Sequence, residues 1–265
     1  MIAELASALA LLAPAPPATL VAAGDIASCR STGDEATAAL VTRTPGTVAI
    51  LGDAVYERGT AAEFRNCYAW RGVRSRTRAA LGNHEYGTGS AAAAIAYFGL
   101  PQRGYYSYEL GSWHIVVLNT NCGPAGGCGP GSPQSAWLRR DLAEHPTRCT
   151  LAYGHHPRWS SGLHGSDLTL ASLWRELAVG GVDVYLAGHD HHYERFAPIN
   201  GIRSFVVGTG GRSRYPVFRR LPKSVAVNDD TFGVLRLTLS ARGYKWRFLP
   251  VAGSSYSDTG ATLCR

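Results

Sequence analysis

Five short apolar segments in this chain of 265 residues each end in a glycine that is followed directly by aspartate, asparagine or histidine. The residues after the glycines are Asp25, Asp53, Asn83, His155 and His189. A glycine at a strand end lets the backbone turn sharply and lets another group approach closely, because it has no Cβ. In open α/β sheets, ligands bind beyond the carboxyl ends of the strands. One Gly-Asp or Gly-Asn turn is ordinary, but five with only oxygen and imidazole donors predict one shared site.

The segment with the most candidate metal ligands runs from Leu186 to Arg195 and follows an apolar run that predicts a buried strand. It places His189 and His191 two positions apart, so both side chains point to the same side of an extended chain. Imidazole is the commonest metal-binding side chain and suits zinc, iron, manganese and copper. A histidine-rich surface loop without a metal is the alternative for this segment taken alone.

The candidate donors form a mixed oxygen and nitrogen set. Asp25 offers a carboxylate oxygen to one cation, and Asp53 has two oxygens with which it can bridge two cations. Tyr56 follows closely, and because a phenol has a pKa of about 10, only a strongly charged ion such as Fe(III) would hold it deprotonated at neutral pH. Asn83 adds a neutral carbonyl oxygen. The set is large enough for two ions about 3.5–4 Å apart, which suits attack of activated water on phosphorus. It contains no cysteine, which argues against a structural zinc site.

The order of predicted elements indicates an α/β (α+β) fold, in which two mixed β-sheets pack as a sandwich flanked by helices. Strands and helices alternate at first, and antiparallel strands follow near the end. The predicted helices span 34–44, 60–70, 90–98, 133–144 and 166–179. The predicted strands span 20–23, 47–51, 78–81, 105–110, 113–119, 149–153, 182–186, 203–207, 232–240 and 244–251.

Length and charge exclude several classes of protein. The chain shows no break in composition and no long linker, so one domain over residues 19–265 is expected. The net charge of +7 comes from scattered basic residues without a recognised nucleic-acid module, so nucleic-acid binding is not expected. A mildly positive field favours a small phosphorylated substrate. No apolar run is long enough to span a bilayer, so no membrane association is expected, and the oligomeric state stays open.

Residues 1–18 have the features of a leader segment. Ile2 to Leu12 is apolar, and a cleavage site of small residues is expected near Ala13–Ala18. Glu4 and the lack of a preceding lysine or arginine are atypical of a secretory signal, so a misassigned or trimmed leader is the alternative.

The cysteines also favour a secreted or extracytoplasmic protein. There are six, and none forms a Cys-x-x-Cys pair, which favours disulfides over a zinc cluster. The preferred pairs are Cys29 with Cys67, Cys122 with Cys128, and Cys149 with Cys264. Six free thiols in a cytosolic protein are the alternative.

The glycine motifs resemble, in order, the five motif blocks of purple acid phosphatases, which belong to the calcineurin-like metallophosphoesterases. The blocks are Gly24-Asp25, Gly52-Asp53-Ala54-Val55-Tyr56, Gly82-Asn83-His84-Glu85, Gly154-His155 and Gly188-His189-Asp190-His191. The resemblance covers about 20–251, and the tyrosine of the second block indicates the purple acid branch.

This resemblance implies a dinuclear centre that activates hydroxide for in-line attack on phosphorus. The implied ligands of Fe(III) are Asp25, Tyr56 and His191, those of a divalent ion (Fe, Zn or Mn) are Asn83, His155 and His189, and Asp53 is the implied bridge. His84 would contact the substrate, and His84 or His164 would protonate the leaving group. The Gly-His-x-Pro match favours His155 over the adjacent His156 as the ligand.

Two acids in and just after the fifth motif block are candidates for supporting the metal-binding histidines. Asp190 or Glu194 is expected to accept the outer N–H of a metal-bound histidine, or Glu194 forms a simple ion pair with a residue such as Arg195.

Three functions are open at this point. The favoured one is a metal-dependent phosphomonoesterase of the purple acid type. A phosphodiesterase or nucleotide hydrolase with the same dinuclear site is the first alternative, and a catalytically silent binding protein is the second.

Overall fold

Two large β-sheets make up most of the structure, a computed structural model that describes residues 16–265. The strands are β1 (Ala18–Ala23), β2 (Ala27–Ser28), β3 (Thr47–Leu51), β4 (Val55–Tyr56), β5 (Thr77–Ala80), β6 (Tyr106–Leu110), β7 (Trp113–Val117), β8 (Cys149–Tyr153), β9 (Val184–Ala187), β10 (Tyr193–Phe196), β11 (Arg203–Val207), β12 (Ser224–Asn228), β13 (Gly233–Ser240), β14 (Gly243–Pro250) and β15 (Thr259–Leu263). The α-helices are α1 (Gly33–Arg43), α2 (Ala61–Asn66), α3 (Ala92–Phe98), α4 (Pro133–Glu144) and α5 (Ala171–Val179).

The strand order explains why several strand ends meet. The first sheet has the order β15-β14-β13-β1-β3-β5, and β1, β3 and β5 are parallel neighbours. The second has the order β12-β10-β11-β9-β8-β7-β6, in which β7, β8, β9 and β11 run parallel. The predicted sandwich of two mixed sheets is confirmed. Parallel strands end at the same edge of a sheet, so the carboxyl ends of each parallel group form one row.

Alternating side chains of the second sheet hold the layers together. In β7, Ile115 and Val117 belong to the core between the sheets, whereas Val116 packs with Leu138 of α4 and Leu173 of α5 on the other face. All of these side chains are buried. Burying each one stabilises the fold by about 1.5–3 kcal/mol, and burial of both faces explains why these strands are continuously apolar.

Some predicted boundaries were wrong. The helix expected over 60–70 ends at Asn66 as α2, and a separate 3₁₀ helix runs from Ala69 to Arg76. The capping box of Thr60 and Glu63 fixes where α2 begins. The short strands β2 and β4, and the strands β10, β12 and β15, were not predicted. Strands this short or this polar are stabilised by their neighbours in the sheet rather than by a sequence pattern.

The three predicted disulfides are present: Cys29–Cys67, Cys122–Cys128 and Cys149–Cys264. The third joins β8 to the residue after β15 across a separation of 115 residues. In the chain-entropy account, closing so long a loop stabilises the folded state by about 4–5 kcal/mol.

Most of the predicted leader segment lies outside the described residues, and Ala18 is already the first residue of β1. No helix within residues 16–265 is both long and apolar enough to cross a lipid bilayer.

His114 in β7 is a buried histidine far from the glycine motifs. Its Nδ1 lies 2.6 Å from Oε1 of Glu109, its Nε2 lies 2.8 Å from Oδ2 of Asp141, and the ring of His145 stacks on it at 4.6 Å. Burial opposes a charge on His114, but the hydrogen bonds to the two carboxylates outweigh it and raise its pKa. Burial likewise opposes ionisation of Asp141, but the bond from His114 outweighs it and lowers the pKa of Asp141.

We expect His114→Gln to lower the free energy of unfolding by about 3 kcal/mol between the unfolded pKa values of about 3.8 and 6.5. The contribution of His114 to the free energy of unfolding is complete below its unfolded pKa and is lost as pH rises through its higher folded pKa. The contribution of Asp141 to that free energy is complete above its unfolded pKa and is lost as pH falls through its lower folded pKa. Urea unfolding from pH 3 to pH 9 measures this, and a difference from wild type that is constant over that range would contradict it.

Candidate metal centre

The five motif residues lie at the facing carboxyl ends of the two parallel groups of strands. Asp25, Asp53 and Asn83 follow β1, β3 and β5 of the first sheet, and His155 and His189 follow β8 and β9 of the second. The two rows are tied directly to each other. The backbone N–H of His189 donates to Oδ2 of Asp25 at 2.8 Å, and Nδ1 of His155 donates to the carbonyl oxygen of Leu51 at 2.8 Å. The sandwich thus brings both sets of side chains to one place.

We call the seven predicted ligands the cage; they are Asp25, Asp53, Tyr56, Asn83, His155, His189 and His191. In its tyrosine half, the hydroxyl oxygen of Tyr56 lies 2.7 Å from Oδ1 of Asp25 and 3.2 Å from Nε2 of His191. The same hydroxyl lies 2.9 Å from Oδ2 of Asp53. Asp25, Asp53, Tyr56 and His191 are all buried.

The asparagine half of the cage consists of Asn83, His155 and His189. Nε2 of His155 lies 3.0 Å from Oδ1 of Asn83 and 3.1 Å from Nδ1 of His189. It also lies 3.3 Å from Oδ2 of Asp53, the oxygen that contacts Tyr56. Asp53 therefore touches both halves, as expected of a bridging carboxylate. Asn83 is exposed, so the asparagine half is open to solvent.

The cage is lined mainly by acceptor oxygens and imidazole nitrogens, which is the pattern that a cation site requires. The Leu51 carbonyl can only accept, so Nδ1 of His155 holds a hydrogen, and the neutral ring presents the lone pair of Nε2 to the cage. Ser213 Oγ lies 2.7 Å from Nδ1 of His191, which leaves Nε2 of that ring facing inward. The carboxylates of Asp25 and Asp53 add only acceptor oxygens. These donor types fit hard or borderline metal ions.

The electric field inside the cage also favours positive charge. Burial alone would lower the pKa of His155, but the carboxylate of Asp53, and then that of Asp25, raise it to about 10. Burial and the same two carboxylates raise the pKa of Tyr56 well above its usual value. A phenolate at this position therefore requires a strongly positive partner, which agrees with the expectation of a highly charged ion.

Three of the cage residues have strained backbone conformations. Asp25, Asp53 and His189 have φ angles of 60°, 50° and 71°, in the left-handed region that residues with a Cβ seldom adopt. Each such residue costs about 1–3 kcal/mol and persists only where the surrounding structure enforces it. Close packing enforces it here, because a Cβ at Gly82 would collide with the Asp53 carboxylate and one at Gly188 with that of Asp25.

A buried carboxylate in the third motif block, that of Glu85, stabilises the turns after β3 and β5. Glu85 accepts the backbone N–H of Gly82 at 2.7 Å, of Asp53 at 2.9 Å and of Ala54 at 2.8 Å. It therefore holds the turn after β3 against the turn after β5. Its presence after Asn83 and His84 was visible in the sequence, but its partners were not.

The two predicted acid–base histidines lie at opposite sides of the cage. The ring of His84 lies 4.2 Å from that of Tyr56, and its Nδ1 donates to the carbonyl oxygen of Glu57 at 2.6 Å. Its Nε2 lies 3.9 Å from Oδ2 of Asp53, beyond hydrogen-bond distance. The ring of His164 is exposed and lies 4.5 Å from that of His189. Both rings can therefore reach a molecule bound at the cage.

The expected hydrogen bond from a metal-binding histidine to Asp190 or Glu194 is absent from the described residues, and Glu194 pairs with His192 instead. Asp190 accepts the backbone N–H of His164 at 2.8 Å, and Glu194 accepts that of Ser161 at 2.8 Å and lies 3.1 Å from Nε2 of His192. Both acids therefore anchor the loop that carries His164. The expected pair of Glu194 with Arg195 is also absent, because Arg195 binds Asp258 at 2.7 Å. Neighbouring residues of a strand point to opposite faces, which separates Glu194 from Arg195.

Comparison with known proteins agrees with this architecture. The sequence profile described as calcineurin-like phosphoesterase matches residues 2–193. The chain therefore belongs to the calcineurin-like phosphoesterase family. Within that family its relatives include acid phosphatases. It is 27% identical over 242 residues to tartrate-resistant acid phosphatase type 5 of Mus musculus, covering 75% of this chain and 74% of that protein.

Two further comparisons support the same relationship. The chain is 30% identical over 154 residues to tartrate-resistant acid phosphatase type 5 of Homo sapiens, which covers 49% of this chain but only 47% of the human protein. The structure of purple acid phosphatase PPD1 from Lupinus luteus matches 93% of this chain and 54% of its own, with a TM-score of 0.81 at 20% identity. The resemblance to purple acid phosphatases is confirmed, although this chain spans only about half of these two relatives.

Proposed function

We propose that this protein is a metal-dependent phosphoric ester hydrolase of the purple acid phosphatase type that acts on small phosphomonoesters. The observation that carries the proposal is the convergence of carboxylate, carbonyl and imidazole ligand atoms in the cage, with a tyrosine hydroxyl among them. Family membership and the acid phosphatase relatives support the reaction class. The net charge of +7 suits an anionic substrate.

The residues of the cage divide naturally between two ions. In the proposal, Asp25, Tyr56 and His191 hold Fe(III), and Asn83, His155 and His189 hold a divalent ion, which is Fe, Zn or Mn. Asp53 joins them, since its Oδ2 contacts both Tyr56 and His155. When bound, such a pair of ions polarises a phosphoryl oxygen and lowers the pKa of water so that hydroxide is available at neutral pH.

Two histidines are the candidates for protonating the leaving group. An alkoxide leaving group needs a proton, and a side chain within hydrogen-bond reach of it supplies that proton most efficiently. His84 donates through Nδ1 to Glu57, so its Nε2 is the atom that accepts and delivers the proton. His164 is the second candidate, and Asp190 holds its backbone in place.

We also propose that residues 19–265 act as one domain and that the protein works outside the cytoplasm. The disulfides between Cys29 and Cys67, Cys122 and Cys128, and Cys149 and Cys264 support that location, because such bonds persist in oxidising compartments.

The test combines the visible absorption spectrum of the metal-loaded protein with the rates at which it hydrolyses two substrates. Protein loaded with iron and zinc or manganese is expected to show a broad visible absorption band, and Tyr56→Phe is expected to lose it while retaining the protein fold. The wild type is expected to hydrolyse p-nitrophenyl phosphate faster than bis-p-nitrophenyl phosphate. A faster diester reaction would assign a phosphodiesterase, and a colourless, active, manganese-dependent protein would place the chain in another branch. No turnover of either ester at full metal content would indicate a silent binding protein.

A further inference from the structure

A second histidine follows His155 at the end of β8, and it does not belong to the cage. The ring centroid of His156 lies 4.9 Å from that of His155 and 4.5 Å from that of His189. One of its ring nitrogens lies within 4.8 Å of a nitrogen of each of these two rings. The residue is only partly buried. His156 therefore forms part of the solvent-facing wall beside the asparagine half of the cage.

The hydrogen bonds of Thr120 determine which nitrogen of His156 holds the hydrogen. Oγ1 of Thr120 accepts the backbone N–H of His155 at 3.2 Å and that of His156 at 3.0 Å. A hydroxyl oxygen has two lone pairs and one hydrogen. Its hydrogen is therefore left for its third neighbour, Nδ1 of His156, at 2.8 Å. Nδ1 accepts this bond, so the neutral ring has its own hydrogen on Nε2.

This tautomer gives the two adjacent histidines opposite roles. His155 donates through Nδ1 to Leu51 and presents a lone pair at Nε2, as a metal ligand must. In His156, Nδ1 is occupied by Thr120 and Nε2 is an N–H donor, so neither nitrogen has a lone pair free for a cation. The acceptor atoms of the cage would hold cations, and an N–H donor beside them suits an anion bound to those cations.

The ring of His156 is not needed to hold its own backbone. The hydroxyl of Tyr185 donates to the carbonyl oxygen of His156 at 3.1 Å, and Thr120 accepts the backbone N–H. The backbone N–H of Gly154, two residues before His156, donates to the carbonyl oxygen of Leu186 at 3.1 Å. Replacing the imidazole therefore leaves the main chain that positions His155 in place.

We propose that His156 contacts the substrate and donates its Nε2–H to an oxygen of a phosphate group bound at the asparagine half of the cage. This inference rests on the proposed function. His164 lies on the same half, since its ring is also 4.5 Å from that of His189. A phosphate oxygen there meets two imidazoles that are not cage residues. Hydrogen bonds to a charged oxygen are about twice as strong as neutral ones, so His156 contributes to the affinity for phosphate.

The experiment compares His156→Phe, which keeps a flat ring without a donor, with His156→Gln, which keeps an N–H donor on a flexible side chain. His145→Phe is the matched control, because His145 is exposed and stacks on His114 away from the cage. The probe is inorganic phosphate, titrated by calorimetry into each protein after metal loading. Metal content is measured on the same samples, and KM and kcat are measured with p-nitrophenyl phosphate.

We expect His156→Phe to keep the wild-type metal content and to weaken phosphate binding about tenfold, with a similar rise in KM and a smaller change in kcat. His156→Gln should recover part of the affinity, and His145→Phe should behave as wild type. Phosphate affinity of His156→Phe within about twofold of wild type would overturn the inference, and so would loss of metal, since it would make His156 a ligand. If the wild type hydrolyses no ester, the proposed function fails, while the phosphate titration still decides the role of His156.

Discussion

Replacing Asp53 with alanine is expected to abolish hydrolysis of phosphoesters and to remove bound metal from both halves of the cage. Oδ2 of Asp53 lies 2.9 Å from the hydroxyl oxygen of Tyr56 and 3.3 Å from Nε2 of His155, so it contacts both halves. Its Oδ1 accepts the backbone N–H of His84 at 2.9 Å. The substitution therefore removes a shared ligand and releases the turn that carries Asn83 and His84. Loss of charge stabilisation worth several kcal/mol predicts a fall in kcat/KM of at least about a thousandfold.

Metal content by elemental analysis and turnover of p-nitrophenyl phosphate measure this effect. Asp53→Asn separates the two roles, because its amide oxygen can still accept the N–H of His84 but does not have the charge of a bridging carboxylate. Glu144→Ala, an acid-to-alanine change at an exposed position at the end of α4, is the matched control. Near-normal turnover of Asp53→Ala, or retention of two metal ions, would contradict the bridging role.

Replacing Glu85 with alanine is expected to lower the free energy of unfolding by about 3–5 kcal/mol and to reduce metal content. Three buried backbone N–H groups, those of Gly82, Asp53 and Ala54, lose their acceptor. A buried donor left without a partner costs about 1–3 kcal/mol, and the empty space left by the side chain adds to that cost. The left-handed conformation of Asp53 then has less to enforce it, so the ligand shifts.

Urea unfolding of the metal-free protein measures the first effect without any contribution from bound ions. Glu85→Gln is expected to be intermediate, because its single amide oxygen can serve only part of the three N–H groups. Glu144→Ala again serves as the control for loss of an acid. If Glu85→Ala lowers the free energy of unfolding by less than about 1 kcal/mol, water replaces the carboxylate and the turns keep their conformation without it.

Much of the fold was predictable because its signals are local. The strands before Asp25, Asp53, His155 and His189 are mostly apolar runs with both faces buried, and each ends at the residue before the predicted glycine. Helix α4 has the predicted bounds, since Ser132 caps it and Pro133 begins it. The strand β15 was missed because it alternates exposed and half-buried residues at a sheet edge, so its pairing with β14 forms it.

The candidate site was predicted as a set of residues but not as a set of contacts. All nine predicted residues lie in or beside the cage, and the structure adds Glu85, Thr120 and Ser213 as partners of Asp53, His155 and His191. The expected hydrogen bond from a ligand to Asp190 or Glu194 is absent from the described residues, because both acids bind the loop that carries His164. Proximity in the sequence suggested the wrong partners, since side chains on successive residues of an extended chain face different neighbours.

The sequence by itself determined which residues can serve as ligands and where the chain turns, because a glycine after an apolar strand is a property of a few adjacent residues. Only the tertiary structure decided which ring nitrogens of His155 and His191 face the cage and that His156 differs from His155. Those features depend on partners from distant segments, as when His189 donates to Asp25 across 164 positions. No local pattern encodes such a contact, since it exists only once two sheets have packed face to face.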